Sequence, residues 1–240
     1  AESLQQSGSL DLRVNDLNEK RAEVQKELTA AGIVCEPTPY SPWGLRLQGK
    51  PSLAKVKAFE RGAVEVQDEG SQLVAMIFAG ASADRSAWLD LCAGPGGKAA
   101  LLASIAAQGD HRFVANEISQ IRADLVKQVV GSHEVWVGDA REIATRGEGF
   151  DAILADVPCT GMGALRRRPE VRWRRSLADL RELGVLQREI SDAAISILNV
   201  GGVFGYATCS PHLAETSIAV ADILKKHPEL EQIDVQPFMP

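Results

Sequence analysis

The chain has 240 residues and 25.8 kDa, room for one large α/β domain and a small appendage, and its composition is ordinary for a globular protein. A net charge of −6 and a pI near 5.3 exclude overall charge as a means of holding nucleic acid, so any such contact needs a local basic patch. No apolar run reaches the roughly 18 residues of a membrane span and no charged-then-apolar leader opens the sequence, so it reads as a cytoplasmic protein without a membrane segment.

Ala1 to about Leu10 is polar and small and reads as a frayed terminus. Residues 11–15 predict a short strand. Residues 17–31 predict a helix with apolar positions at Val24 and Leu28, closed by Gly32. Val34 and residues 45–47 predict further short strands, separated by the turn cluster of Pro37, Pro39, Pro42 and Gly44. Residues 59–65 lead into 66–72, and 73–78 continue as a helix. The expected organisation is a small N-terminal α+β subdomain over 1–65 and a second domain over 66–240.

From Ala87 the sequence alternates strand and helix. Strands are expected at 88–91, 112–116, 134–137, 152–155 and 203–207, with helices at 98–107, 119–130, 177–198 and 213–227. That alternation predicts a doubly wound, mostly parallel sheet of the Rossmann-like kind, whose ligands sit at the carboxyl ends of the strands near the reversal of strand order. Asp90, Glu117, Asp139, Asp156 and Thr208-Cys209 all fall at or just past expected strand ends.

The stretch Leu89-Asp-Leu-Cys-Ala-Gly-Pro-Gly-Gly-Lys98 packs a buried strand, a tight turn and a helix start into ten residues. Its glycines fit neither G-x-G-x-x-G nor the P-loop, which argues against a pyrophosphate. An acid at the strand end followed by glycines suits a cofactor carrying an amino-acid moiety, S-adenosylmethionine foremost; a glycine turn serving only packing is the plainer alternative. Glu117, roughly 20 residues on, is placed to accept from ribose hydroxyls or to act as a helix N-terminal acid. Asp139 could accept from an adenine amino group or cap a helix.

The four cysteines, Cys35, Cys92, Cys159 and Cys209, make no C-x-x-C pair and no metal-spaced set, so neither a metal site nor a disulfide framework is expected. Cys159, in Asp156-Val-Pro-Cys-Thr-Gly161, and Cys209, in Tyr206-Ala-Thr-Cys-Ser-Pro211, each lie just beyond an expected core strand. Two thiols converging on a pocket beside a carboxylate suit methylation of a pyrimidine carbon: addition of a thiolate to C6 makes C5 nucleophilic toward a methyl sulfonium. An acid with a raised pKa would protonate N3, a role for which Asp156 is placed, while Lys98 could polarise the base, hold that carboxyl, or merely face solvent.

These three motifs resemble, in order and spacing, the signatures of the RsmB/Sun (NOL1/NOP2/Sun) RNA cytosine-5 methyltransferases, over about residues 11–227. Leu12-Arg-Val-Asn15 and Val66-Gln-Asp68 resemble that family's small N-terminal subdomain and its junction to the catalytic domain. The resemblance implies a Rossmann-like class I methyltransferase acting on RNA, most of all 16S ribosomal RNA, with transfer RNA or a non-catalytic assembly role as alternatives. It implies Cys209 as nucleophile, Cys159 as helper in proton removal and enzyme release, and Cys92, Ala93, Gly94, Pro95, Gly96, Gly97, Lys98, Glu117, Asp139 and Asp156 as holders of cofactor or base. In cytosine-5 DNA enzymes the attacking thiol belongs instead to the P-C motif. Full-length bacterial members of the ribosomal branch usually carry a helical RNA-binding domain ahead of the Leu-Arg-Val-Asn segment and a further strand pair after the last helix; neither is in this sequence, so truncation or disorder of both ends is expected.

Arg166, Arg167, Arg168, Arg172, Arg174 and Arg175 crowd the segment after Cys159, with Trp173 among them. Guanidinium forks suit phosphates and an aromatic ring can stack on an unpaired base, so this is the expected RNA surface, against the alternative of a solvated face paired with Glu170 and Asp179.

Overall fold

The structure, a computed structural model, describes residues 7–15, 19–54 and 56–240. The N-terminal part is built from β1 (Leu10–Val14), α1 (Arg21–Ala30), β2 (Cys35–Pro37), β3 (Gly44–Leu47), α2 (Lys57–Glu60) and β4 (Val64–Val66), with the strands in one antiparallel sheet ordered β2-β3-β1-β4. Strand β1 is buried on both faces. Leu12 and Val14 enter an apolar core with Val24, Leu28, Leu45 and Leu47, as the period-2 pattern requires. Asp11 and Arg13 point the other way and are buried as well, each with a partner: Arg46 grips Asp11 at 2.9 and 3.0 Å, and Arg13 reaches Glu65 at 2.7 Å.

The second part begins with α3 (Glu69–Ala81), capped by Asp68, which accepts from the Gly70 N–H at 2.8 Å. It continues through β5 (Ala87–Asp90), α4 (Gly97–Gln108), β6 (Arg112–Glu117), α5 (Gln120–Val129), β7 (Glu134–Val137), a 3-10 turn (Ala140–Arg146), β8 (Phe150–Asp156), α6 (Val171–Arg174), α7 (Leu177–Ser196), β9 (Leu198–Ala207) and α8 (Ser217–Lys226). Its five strands are all parallel, ordered β7-β6-β5-β8-β9. This is a Rossmann-like, doubly wound sheet, and its order reverses at β5, between β6 and β8. Alternate residues serve opposite faces. Trp88, Phe113, Ala152 and Leu154 pack with α3, α4 and α5, while Leu89, Val114, Ile153 and Ala155 pack with the 3-10 turn and α7. Burial on both faces explains why these strands read as near-continuous apolar runs.

Several limits differ from those the sequence predicts. The helix expected from residue 17 starts at Arg21, after Lys20 as its N-cap; positions 17 and 18 lie outside the described residues, as do 1–6 of the expected frayed terminus. The strand expected at Val34 starts at Cys35. Residues 59–65, expected as a lead-in, hold the end of α2 and most of β4, which carries the first sheet through Val66, and the helix expected from 73 starts at Glu69. The helix expected over 177–198 ends at Ser196. The helix expected over 213–227 is split into a 3-10 turn (Leu213–Glu215) and α8, with Thr216 at φ −125°, ψ −104° between them. The break turns Glu215 inward to loops that a straight helix would not reach.

No helix of the described residues is long and apolar enough to cross a membrane.

Candidate active site

The strand ends are stitched together before any ligand is considered. Buried Asn116, on β6, donates from Nδ2 to the carbonyls of Leu91 (3.1 Å) and Gly138 (3.2 Å), and its own carbonyl accepts from Ala93 N–H at 2.9 Å, so three adjacent strand ends share one residue. The turn after β5 passes so close to α5 that Gly96, at φ +109°, has room for no side chain: a Cβ there would stand 2.8 Å from a Val129 methyl. Here α4 begins, with its N-terminus at a cavity of about 170 Å³ whose wall includes Gln67, Ser71, Asp90, Lys98 and Asp156. Cys92, Ala93, Gly94, Pro95 and Gly97 complete that wall. Gly96 is buried against α5 instead.

Charge in this cavity is unbalanced toward the negative. Lys98 Nζ reaches Asp156 Oδ2 at 2.7 Å and Ser71 Oγ at 3.2 Å, so it holds the carboxyl rather than facing solvent. The carboxyl expected at a pyrimidine N3, Asp156, is thus held by Lys98. The raised carboxyl is Asp90, 1% exposed, which burial and then the nearby Asp156 charge push up to about 7. Neither Asp90 oxygen has a hydrogen-bond partner at ordinary distance, nor does Gln67 Nε2. Three buried polar atoms without partners around one cavity are the mark of a site that a polar, partly cationic ligand completes. Burial also pushes the Cys92 thiol up, which keeps it protonated.

Glu117 closes β6 at 4% exposure, accepting from Gly94 N–H (3.0 Å), Ser119 N–H (2.9 Å) and Arg122 Nε (2.8 Å). It thus joins the glycine turn to the start of α5, serving both the turn and the helix. Asp139 caps the 3-10 turn through Arg141 N–H at 2.9 Å, and the Arg141 guanidinium grips it, holding its carboxyl below the usual range. It opens on a separate cleft of about 660 Å³ shared with Arg141, Glu142 and Glu189.

The two chemical thiols meet. Cys159, in the loop after β8, and Cys209, in the loop after β9, lie with sulfurs 3.2 Å apart. The hydrogen bond with Cys209, to which the backbone N–H groups of Gly161 and Cys209 add, draws Cys159 down to about 6; the same contact pushes Cys209 up. The contact favours a single proton between the two sulfurs, either of which can be its donor. What brings the loops together is Glu215, fully buried, which accepts from Thr160 N–H at 2.8 Å, from the Thr160 hydroxyl and from Gln187 Nε2 at 3.1 Å. Ser210 hydrogen-bonds the same Thr160 hydroxyl at 3.2 Å, and Gly163 N–H donates to the Cys209 carbonyl at 2.8 Å. Sequence spacing marks Asp90 at its strand end, but places Gln67 only in a junction and gives no signal for Ser71 or Glu215.

The arginine segment divides. Arg167 pairs with Asp68 and donates to the Ser9 carbonyl at 2.8 Å, and Arg166 donates to the Ser7 carbonyl at 3.3 Å, so these two join the residues just ahead of β1 to the segment after Cys159. Arg175 lies 3.6 Å from Asp179, part of the pairing expected of a solvated face. Arg168, Arg172 and Arg174 are exposed beside Trp173, itself 80% exposed.

A family model described as 16S rRNA methyltransferase RsmB/F matches residues 76–239, and one described as the RsmF/B-like methyltransferase ferredoxin-like domain matches residues 1–54. The Mycobacterium tuberculosis protein Rv1407 is 52% identical over 205 residues, covering 83% of this chain and 44% of its own. Ribosomal RNA small subunit methyltransferase B of Vibrio cholerae is 35% identical over 235 residues, covering 95% of this chain and 53% of its own. The chain spans about half the length of the curated relatives it matches. Among solved structures, PH0851 superposes with a TM-score of 0.87 at 28% identity, over 95% of this chain and 52% of its own. NSun6 from Pyrococcus horikoshii, solved with SFG, superposes with a TM-score of 0.81 at 21% identity, over 94% and 82%.

Two outcomes follow from the site's electrostatics and its bracing. The folded protein keeps a proton on Asp90 to about 7, against 3.8 for a free carboxyl, so the unfolded chain loses that proton first. Stability therefore falls as pH rises from about 4 to about 7, by up to about 1.4 kcal/mol per pH unit. Asp90→Asn removes this fall, and urea unfolding at pH 5 and pH 8 will show a smaller difference for the variant than for the wild type; equal differences would refute the assignment. Glu215→Ala strands the Thr160 and Gln187 donors, at a cost on the order of 1–3 kcal/mol for each donor left dry. It also lets the cysteine loops part, so the pH midpoint for iodoacetamide alkylation of Cys159 moves up from about 6.

Proposed function

The chain belongs to the RsmB/F methyltransferase family of the NOL1/NOP2/Sun group, and from that premise we propose that it methylates C5 of a cytosine in RNA, with 16S ribosomal RNA in the cytoplasm as first substrate. The observation that carries this reading is the thiol pair at 3.2 Å, set beside the Lys98–Asp156 ion pair at the carboxyl edge of the sheet. Simple binding has no use for two thiols sharing one proton.

S-adenosylmethionine, when bound, supplies a methyl group on a positively charged sulfur. The cavity lining supports this reading: the unpartnered Asp90 carboxyl would meet the ammonium and the turn from Cys92 to Lys98 the amino-acid end, with Glu117, at the end of the neighbouring strand, on the nucleoside side. A cavity of about 170 Å³ takes that amino-acid end alone, since sites for whole drug-sized ligands measure about 300–1,000 Å³.

Cys209 gives up its proton and adds as the thiolate to C6 of the cytosine. The addition places electron density on C5, which accepts the methyl group; the C5 proton then leaves to a base and Cys209 is expelled, steps in which Cys159 assists. Asp156, held by Lys98, is the carboxyl set at the cytosine N3. Arg168, Arg172, Arg174 and Trp173 hold the strand around the target by phosphate contacts and stacking.

Separate substitutions distinguish the thiols. Cys209→Ala will abolish methyl transfer while retaining cofactor binding, and Cys159→Ala will accumulate a covalent protein–RNA complex that survives denaturing electrophoresis. A complex from Cys209→Ala and none from Cys159→Ala would put the nucleophile in the P-C motif; activity retained in both would sink covalent catalysis. For the RNA surface, Arg168→Ala with Arg174→Ala will weaken RNA binding and lower the salt slope by about 1–2, close to one counterion for each phosphate that the variant no longer neutralises. An unaltered slope would make the segment a solvated face.

A further inference from the structure

The small N-terminal sheet reaches into the cofactor cavity through one side chain. Gln67 follows β4 directly and is 6% exposed. Its backbone is fixed at both ends: its N–H donates to the Asp11 carbonyl at 3.1 Å and its carbonyl accepts from Gln72 Nε2 at 2.9 Å. Its side chain is fixed by Arg13, 1% exposed, which donates from Nε to Gln67 Oε1 at 2.6 Å while its Nη2 is held by Glu65 at 2.7 Å. A guanidinium has only donors, so this bond settles which end of the amide is oxygen and sends Nε2 the other way. Nε2 has no partner and lies at the cavity wall beside Gly97, where a Cβ would stand 3.5 Å from it. Gly97 is the first residue of α4, a helix of 12 residues, whose opening N–H groups and dipole favour an anion in the same place.

We propose that Gln67, oriented by Arg13, donates from Nε2 to the carboxylate at the amino-acid end of the cofactor, together with the N-terminus of α4. The inference rests on the S-adenosylmethionine reading above and names the group of the cofactor that the N-terminal sheet reads. Asp90 lines the same cavity, so carboxylate and ammonium are held by different groups and a ligand lacking the carboxylate loses the contacts of Gln67 and α4. Gln67 touches the ligand, while Arg13 and Glu65 act through it as positioning residues.

Calorimetric titration of the 240-residue protein with S-adenosylmethionine and with its decarboxylated form, the weaker measured by displacement, tests this. Gln67→Glu keeps the acceptor for Arg13 and replaces the donor with an oxygen; Gln67→Met removes both ends of the amide. The expected result is affinity for S-adenosylmethionine lower by roughly 10- to 100-fold in each variant, the scale of a hydrogen bond to a charged group. The decarboxylated form is expected to bind Gln67→Glu at least as tightly as it binds the wild type. Unchanged affinity for S-adenosylmethionine, or equal losses for both ligands, would overturn the proposal. Lost RNA methylation with cofactor affinity intact would overturn it in favour of an RNA contact. A wild-type protein that binds neither ligand would instead remove the cofactor reading beneath it.

Discussion

The parallel register of β5, β8 and β9, which sets Asp90 beside Leu154 and Asp156 beside Ala207, is the constraint on which the site depends. Strands in one parallel sheet end together, so the residues just past their ends are neighbours however far apart they lie in sequence. Cys159 and Cys209 are 50 positions apart and touch because each follows its strand by two or three residues. Register alone brings loops within reach but does not hold two sulfurs in contact. Glu215 supplies the rest, and it can do so only because the last helix breaks and gives up a turn of regular structure. A buried carboxylate with several donors is costly to strand and stable when satisfied, so the brace holds as a unit or fails as one.

The cavity beside this brace is arranged by charge rather than by volume. Asp90, Asp156 and Glu117 bring three carboxyl groups to the strand ends, and the half-buried cation Lys98 among them is paired with Asp156. Glu117 is satisfied by backbone donors and Arg122; Asp90 is not, and answers by keeping its proton to about 7. A ligand bearing an ammonium and a sulfonium supplies the missing positive charge. On the proposed reading, Asp90 is the carboxyl that meets this charge.

The sheet and its site edge were legible in the sequence because burial on both faces writes long apolar runs and glycines mark the turn between β5 and α4. Cys159 and Cys209 were legible for the same reason, each following such a run. The N-terminal module was harder to read. Strand β4 and α2 are only three and four residues long, too short for periodicity, and β1 carries Asp11 and Arg13 on a face that looks solvent-exposed and is buried. Glu215 escaped because its importance lies in an irregular turn, where no period applies. The contact between Lys98 and Asp156 was among the alternatives open in the sequence, but spacing alone does not encode the reach of Lys98 across the turn.

Arg13 and Asp11 also show why the small sheet is more than an appendage. An unpaired guanidinium buried to 1% exposure would be expensive, and its partners Glu65 and Gln67 lie at the seam between the two sheets. Asp11 is likewise held by Arg46 and accepts from the Glu69 N–H at the start of α3 at 3.3 Å, while Arg167 ties Asp68 and Ser9 to the segment after Cys159. Polar side chains of β1 thus meet the first turn of α3 and the cavity wall, and Asp68 and Ser9, next to them in the chain, meet the segment after Cys159. Separating the sheets would bare several of these groups at once, so the two parts stand or fall together, and the cavity is a property of their seam.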